Sequence, residues 1–425
     1  VFPQGSSTNS SNNGVKAGEG NTISVVFFRV NFIRRGSAPS ACSFYWNRYS
    51  LPNCTRVLSL ALSQGYMIHF HSLQVKKVQK ETDDCVSITF EVPSELKDTF
   101  QFVQGQNLTI RKVLKGEELR RNYSICTSPF DGTLRVAVKK VEGGAFSTWA
   151  NDELKSGDYL EVMPPTGKFY TPLDPAQKKN YVAFTAGSGI TPILSLIKTT
   201  LLTEPQSTFT LVYGNRTKTS IIFKEELEAL KDKFINRFRV YHVLSREKTD
   251  AAINNGRIDT EKLNLFFDKI IDLNRCDEFF LCGPEEMIFC IKGFLAGKGV
   301  APEKVHFELF TIPGQKKSTI DNRQSEITYA GPVSKISVKL DGIMFDFDLA
   351  QEGQSILDAA LKQGADLPYA CKGGVCTTCK AKVLEGEVSM DVNWGLEPDE
   401  VANGFVLTCQ AHPITEKVVV DFDAK

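Results

Sequence analysis

From His71 to about Pro165, apolar residues recur in short runs separated by turn residues. Leu73–Val78, Val86–Val92, Leu108–Val113, Asn122–Cys126, Leu134–Val141 and Tyr159–Met163 read as strands, and their spacing predicts an antiparallel β-barrel. A short helix fits Phe146–Leu154. The pattern then alternates between strand and helix: strand Tyr181–Thr185, helix from about Pro192, strand Phe209–Tyr213, helix Lys224–Lys233, strand Phe238–Val243, then strand Glu278–Leu281 and a further helix. That alternation predicts a doubly wound α/β domain. The stretch 311–333 is polar, with Pro and Gly at both ends, and reads as a linker. Beyond it, Lys335–Leu340 and Ile343–Leu349 alternate around Asp341-Gly342, a hairpin signal. Ser355 to Asp358 reads as a capping box opening a helix to about Gln363. The predicted organisation is a barrel over 67–175, an α/β domain over 176–310, the linker 311–333 and a third domain over 334–425.

Composition changes this picture in two places. Lys plus Arg and Asp plus Glu balance at 50 each over 425 residues, so no global charge points to nucleic acid or a membrane surface. The C-terminal 334–425 is nevertheless acidic: 8 Lys, no Arg and 15 Asp/Glu, so its net charge is 8 − 15 = −7. An acidic domain steers towards a basic docking surface. Residues 1–66 are rich in Ser, Asn and Gly and carry six Lys/Arg against one acid, with the first methionine at Met67. A disordered tail, a targeting peptide and sequence outside the functional protein all fit; the last is favoured, which puts the working protein at Met67–Lys425. The 11 cysteines read as reduced thiols, and no apolar run reaches the roughly 18 residues of a membrane span, so a cytoplasmic location is expected.

The strongest chemical signal is Cys371, Cys376, Cys379 and Cys409, spaced C-x4-C-x2-C with a distant fourth, the plant-type [2Fe–2S] pattern. Zinc sites usually pair two C-x2-4-C units, and only one C-x2-C occurs in this region. After the first α/β strand, Ala186-Gly187-Ser188-Gly189-Ile190-Thr191-Pro192 places Gly187 and Gly189 where a backbone can approach a pyrophosphate. Thr191 and Pro192 open the following helix. Arg216 after the second strand, Ser245-Arg246 after the third, and Arg257 beyond favour a 2′-phosphate and hence NADPH; a solvated basic surface is the alternative. In the barrel, Arg121-Asn122-Tyr123-Ser124 and the turn Gly143-Gly144-Ala145-Phe146-Ser147 are each ordinary alone. NADPH gives two electrons at once and the cluster takes one, so a flavin is needed between them, and the barrel is the domain left to hold it.

With these motifs in this order, joined by Leu281-Cys282-Gly283-Pro284 and Glu308-Leu309-Phe310, the chain resembles the ferredoxin–NADP reductase superfamily. It is more closely similar to oxygenase reductases with a C-terminal plant-type ferredoxin, and within these to reductase subunits of ring-1,2-phenylacetyl-CoA epoxidases. The resemblance covers Met67 to Lys425. It implies a β-grasp α+β fold for the third domain, FAD, a [2Fe–2S] cluster, NADPH as substrate and a di-iron oxygenase as partner. It further implies that Arg121 pairs with the FAD pyrophosphate, Tyr123 packs on the flavin and Ser124 lies near flavin N5. Gly144 and Ser147 complete the pyrophosphate site, and Cys282 with Gly283 lies beside the nicotinamide. Glu308 belongs to the catalytic set, and Phe310 either stacks on the flavin or packs in the core. Another oxygenase, a desaturase or a free ferredoxin or flavodoxin remains open as acceptor, as does a non-catalytic electron carrier.

Overall fold

The computed structural model describes residues 69–310 and 331–424. The expectations for residues 1–66, and those for nearly all of the linker, lie outside the described residues.

His71–Thr82 (β1), Cys85–Glu91 (β2), Asn107–Leu114 (β3), Glu117–Ser124 (β4), Leu134–Lys139 (β5) and Tyr159–Val162 (β6) form one six-stranded sheet in the order β4-β3-β6-β1-β2-β5. Its pairs are antiparallel, and a bridge from Ile125 to Val136 joins the two edges into a barrel. Alternate positions (Leu73, Val75, Ile88, Ile110, Val136, Val138) fill the interior. Helix α1 (Ala145–Asp152) adds Phe146 and Ala150 to the same core.

β4 begins five residues earlier than its apolar pattern predicts and ends two residues sooner. The run Glu117-Glu118-Leu119-Arg120-Arg121 is too charged to read as a strand. It pairs because Lys115 and Gly116, at φ 52° and 84°, make the two-residue hairpin turn that right-twisted strands require. Across the sheet, Arg111 then binds Glu161 at 2.8 Å and Glu118 at 3.7 Å.

The second sheet is parallel. Asn180–Ala186 (β7), helix α2 (Ile190–Thr203), Thr208–Asn215 (β8), helix α3 (Lys224–Lys233), Phe238–Leu244 (β9), helix α4 (Thr260–Lys269), Glu278–Cys282 (β10), helix α5 (Glu285–Gly297) and Val305–Glu308 (β11) give the order β11-β10-β7-β8-β9. α2 starts at Ile190, two residues before Pro192, directly on a 3-10 turn over Gly187–Gly189. α4 and β11 have no counterpart in the sequence reading. α4 is short and held by its cap, with the Asp259 carboxylate accepting from Lys262 N at 2.9 Å. β11 is four half-buried residues at the sheet edge, with too little periodicity to detect. The chain builds outward from β7 to β8 and β9, then crosses to β10 on the other side. The carboxyl ends of β7 and β10 therefore border the topological switch point, where ligands bind in sheets of this kind.

The third unit comprises Val333–Leu340 (β12), Ile343–Ala350 (β13), helix α6 (Ile356–Lys362), Lys380–Glu385 (β14), Val388–Met390 (β15), helix α7 (Pro398–Ala402), Phe405–Leu407 (β16), Ala411–Pro413 (β17) and Lys417–Asp421 (β18). A five-stranded sheet runs β13-β12-β18-β14-β16, and β15-β17 pair separately. Ile336, Val338, Leu357, Ala360, Leu407, Val418 and Val420 form its own core. Ser355 caps α6 by accepting from Asp358 N at 3.2 Å. The expected capping box is only half made, because the Asp358 carboxylate binds Lys372 at 2.7 Å instead.

This third unit docks on both of the others. The buried Arg120 of β4 donates to Leu367 O at 3.2 Å and to Asp366 at 3.3 Å, and its guanidinium lies 4.1 Å from the centre of the Tyr369 ring. Lys168 pairs with the buried Glu400 at 2.9 Å, and Phe289 of α5 meets Trp394 edge-on with ring centres 5.6 Å apart. Among the described residues no helix is long and apolar enough to cross a membrane.

Candidate functional site: a junction of three domains

At the switch point, Gly187 takes φ 56° with open space where a Cβ would stand. Gly189 is buried, and a Cβ there would come 2.2 Å from Cys282 O, so only glycine lets the β7 turn lie against the end of β10. Thr185 Oγ1 donates to the same Cys282 carbonyl at 2.7 Å. Thr191 is buried and donates from Oγ1 to Ser188 O at 3.0 Å, while Pro192 is buried in the first turn of α2. On the far rim, Arg246 N donates to Arg216 O at 2.9 Å, and Ser245 Oγ donates to Asn215 O at 3.3 Å. Arg216 and Arg246 are both exposed, and neither guanidinium has a carboxylate partner among the described residues. The nearby Lys218, by contrast, is matched by Glu247 at 3.5 Å. A bridge from Asn255 to Leu244 carries the loop with exposed Arg257 to this rim. Beneath it, the buried Asn215 Nδ2 lacks a partner. Glycine geometry, unpaired cations and an orphaned donor fit an anionic dinucleotide.

β4 carries the flavin candidates. Tyr123 packs at 5.5 Å on Phe146, so the Arg121–Ser124 strand meets the Gly144–Ser147 turn. Gly144 is the N-cap of α1, and a Cβ on it would stand 2.6 Å from Ser147 Oγ. That hydroxyl accepts from Val141 N at 3.1 Å and holds the turn closed. Arg121 is exposed, its guanidinium donating to Arg120 O at 2.8 Å. This cradle, with an exposed cation at its edge, fits a pyrophosphate.

Ser124 is the meeting point of barrel and nucleotide domain. It is buried, and its Oγ donates to Glu308 Oε2 at 2.9 Å. Glu308 ends β11, directly paired with Cys282 at the end of β10, so the three catalytic candidates come together from two domains. Gly283 follows at once, and a Cβ there would run into the Met287 methyl at 2.7 Å and Ala186 N at 3.0 Å. Burial, with Glu308 adding to it, holds the Cys282 thiol well above its ordinary value, so it stays neutral. Burial also raises the Glu308 carboxyl from 4.5 to about 7, against the opposing hydrogen bond from Ser124. The folded chain then holds this proton more tightly than the unfolded chain. The associated stability is complete below pH 4.5 and is lost as pH rises through about 7. Glu308→Gln should remove that loss. Denaturation profiles should show the variant gaining on the wild type, by roughly 3 kcal/mol, between pH 4.5 and 8; parallel profiles would contradict it. Phe310, 42% exposed, lies two residues on at the end of the described segment.

The four cysteines lie in one loop and on the strand turn that follows β16. Cys376, Cys379 and Cys409 are buried, and Cys371 is half-buried. They pair by side chain as Cys371 with Cys376 and Cys379 with Cys409. Among the described residues no three His, Cys, Asp or Glu side chains converge as ligands of a single ion. Four thiols brought together by one loop and the turn after β16 suit a [2Fe–2S] cluster. In each pair one thiol is lowered and the other raised: Cys371 and Cys409 fall, Cys376 and Cys379 rise, each chiefly through its partner. Gly373 N donates to Cys371 Sγ at 3.3 Å, and Gly374 at φ 72° turns the loop where a Cβ would meet Val392.

Three family models match the chain in the order of its sheets. An oxidoreductase FAD-binding domain covers residues 72–170, an oxidoreductase NAD-binding domain 184–293, and a 2Fe-2S iron-sulfur cluster binding domain 338–413. The chain therefore belongs to the FAD- and NAD(P)H-dependent oxidoreductases with a C-terminal [2Fe–2S] domain, the reductase components of multicomponent oxygenases. Over 359 residues it is 48% identical to one of the subunits of 1,2-phenylacetyl-CoA epoxidase from Escherichia coli strain K12, covering 84% of this chain and 99% of that protein. It is 34% identical over 356 residues to the ferredoxin reductase component of 3-ketosteroid-9-alpha-monooxygenase from Rhodococcus rhodochrous, 82% of this chain and 96% of that one. Phthalate dioxygenase reductase shares the fold, with a TM-score of 0.51 at 23% identity over 83% of this chain and 98% of that chain.

The sequence reading passed over several junction residues. Asn122 stands inside a motif that was read, but Thr109, Arg120, Thr378 and Trp394 carry no local signal, and their neighbours come from distant parts of the chain.

Proposed function

We propose that this chain draws electrons from NADPH and delivers them to the di-iron oxygenase of a phenylacetyl-CoA epoxidase. The observation that carries this reading is the meeting of three domains on β4: Ser124 holds Glu308 of the nucleotide domain at 2.9 Å, and Asn122 holds Thr378 of the cysteine loop at 3.3 Å. When bound, FAD would accept a hydride and the cluster would pass its electrons on singly. Arg121, Gly144 and Ser147 hold the flavin pyrophosphate, and Tyr123 fixes the ring. Gly187, Gly189, Thr191 and Pro192 receive the dinucleotide, with Cys282 and Gly283 leaving a neutral, close-packed floor beside the nicotinamide. Ser124 Oγ and Glu308 Oε2 form a two-member path for a proton. Hydride transfer itself depends on this positioning. Cys371, Cys376, Cys379 and Cys409 hold the cluster. The surplus of acid in 334–425 supports a basic docking face on the acceptor.

Arg216, Ser245 and Arg246 receive the 2′-phosphate. Loss of one charge-assisted contact costs about 1.5–3 kcal/mol, so Arg246→Ala should raise the KM for NADPH roughly tenfold or more and leave that for NADH within about twofold. Equal effects on both would contradict the assignment. The acceptor is tested by reconstitution with purified oxygenase components. NADPH-driven epoxidation of phenylacetyl-CoA is expected, and turnover only with a different oxygenase or with a free ferredoxin would overturn it.

A further inference from the structure

Each nitrogen of the buried Arg120 guanidinium has its own acceptor. Nε donates to Glu118 Oε1 in the same strand at 2.8 Å, Nη1 to Leu367 O at 3.2 Å, and Nη2 to Asp366 Oδ1 at 3.3 Å. The group also lies over two rings, 4.1 Å from the centre of Tyr369 and 5.1 Å from that of Phe70. Its side chain is 5% exposed, so little water competes for these contacts. Glu118 fixes the guanidinium from the barrel side, and the rest of its fork is turned on the third domain. A planar group with several donors and a stacking face can do this; the single ammonium of lysine cannot.

The residues gripped lead straight into the cysteine loop: Tyr369 stands two places before Cys371. At the other end of that loop, Thr378 Oγ1 accepts from Asn122 Nδ2 at 3.3 Å, again on β4. Near its middle, Gly374 O accepts from Trp394 N at 2.9 Å, and the Trp394 ring meets Phe289 of α5. The last of these is an edge-on pair of rings and the second a single long hydrogen bond, so the Arg120 fork carries most of the direction. The strand that grips the loop is also the strand that bears Arg121 and Tyr123. Fixing residues 366–369 to Arg120 therefore fixes the cysteines relative to the flavin cradle.

We propose that Arg120 is a positioning residue for the flavin-to-cluster step, holding the cysteine loop at the separation across which single electrons pass. This rests on the reading of the barrel as the flavin site and of the four cysteines as cluster ligands. In that step one electron leaves the reduced flavin and the cluster gains it, with no bond made or broken. The rate falls exponentially with the distance between the two centres, so a third domain that rocks on its seat slows the step. Hydride transfer and the cluster's own chemistry are untouched, because Arg120 belongs to neither site. Its contribution is geometric.

The test uses full-length holoprotein, with anaerobic stopped flow and rapid-freeze EPR. Arg120→Lys and Arg120→Met lose the charge-assisted fork, and each should slow reduction of the cluster by the reduced flavin about tenfold or more. The rate at which NADPH bleaches the flavin and the midpoint potential of the cluster should both stay at wild-type values. Backbone amides of residues 366–379 should exchange hydrogen faster in both variants. Tyr369→Leu removes the stacking partner from the third domain. It should give the same split, and added to Arg120→Met it should slow the step no further. A wild-type rate of cluster reduction in Arg120→Met would overturn the proposal. So would a loss matched by slower flavin bleaching or a shifted midpoint, or additive losses in the double variant. Wild-type protein without a cluster signal, or without a flavin band, would instead sink the underlying assignments, so the failures are distinct.

Discussion

Cys379→Ser is expected to abolish the iron–sulfur signal and reduce electron delivery to the acceptor to background, while NADPH still bleaches the bound flavin. Cys379 is 1% exposed and faces Cys409, so its loss leaves one of the two thiol pairs with a single member. A hydroxyl does not replace a thiolate on iron at neutral pH. The flavin half survives because the cores are separate. Cys379 belongs to the cluster of Ile336, Leu357 and Val418, whereas the barrel packs around Ile88, Ile110 and Val136. Absorbance and EPR of the purified variant, with stopped-flow NADPH reduction, read both halves. Loss of flavin reduction together with the cluster would contradict the independence of the two sites.

Ser124→Ala and Glu308→Gln are expected to slow reduction of the flavin by NADPH about 10²- to 10⁴-fold, the usual range for a positioned proton-handling group. The two are joined at 2.9 Å across a domain boundary, so removing either leaves the other without its partner in a buried place. The KM for NADPH should change much less, because the phosphate is proposed to fall to other residues, Arg216, Ser245 and Arg246. Single-turnover stopped flow separates the two quantities. A rate within about threefold of wild type in either variant would remove that residue from the reaction.

The parts of the fold legible in the sequence are those whose pattern is local. The strands of the parallel sheet read as apolar runs because both faces are covered, and the cysteine spacing is set by one loop wrapping metal. β4 was misplaced because its charges make sense only with distant partners. Arg120 is buried by Tyr369, Asp366 and Leu367, none of which can be located by periodicity. β11 escaped for a related reason: as a short edge strand its register comes from β10, not from its own composition. The Ser124–Glu308 contact follows the same rule. It joins the last residue of β4 to the last of β11, and nothing in either neighbourhood announces the other. Resemblance to a family named both residues, and the fold supplied the distance between them.

Electrons are expected to pass through one chain in a fixed order, and that order can be watched. Wild-type holoprotein is mixed anaerobically with NADPH in a stopped-flow instrument and sampled by rapid-freeze EPR. The flavin band near roughly 450 nm should bleach first, with the reduced-cluster signal growing afterwards at a slower rate. Protein that carries no flavin band, or a cluster that is reduced by NADPH before the flavin, would contradict the account.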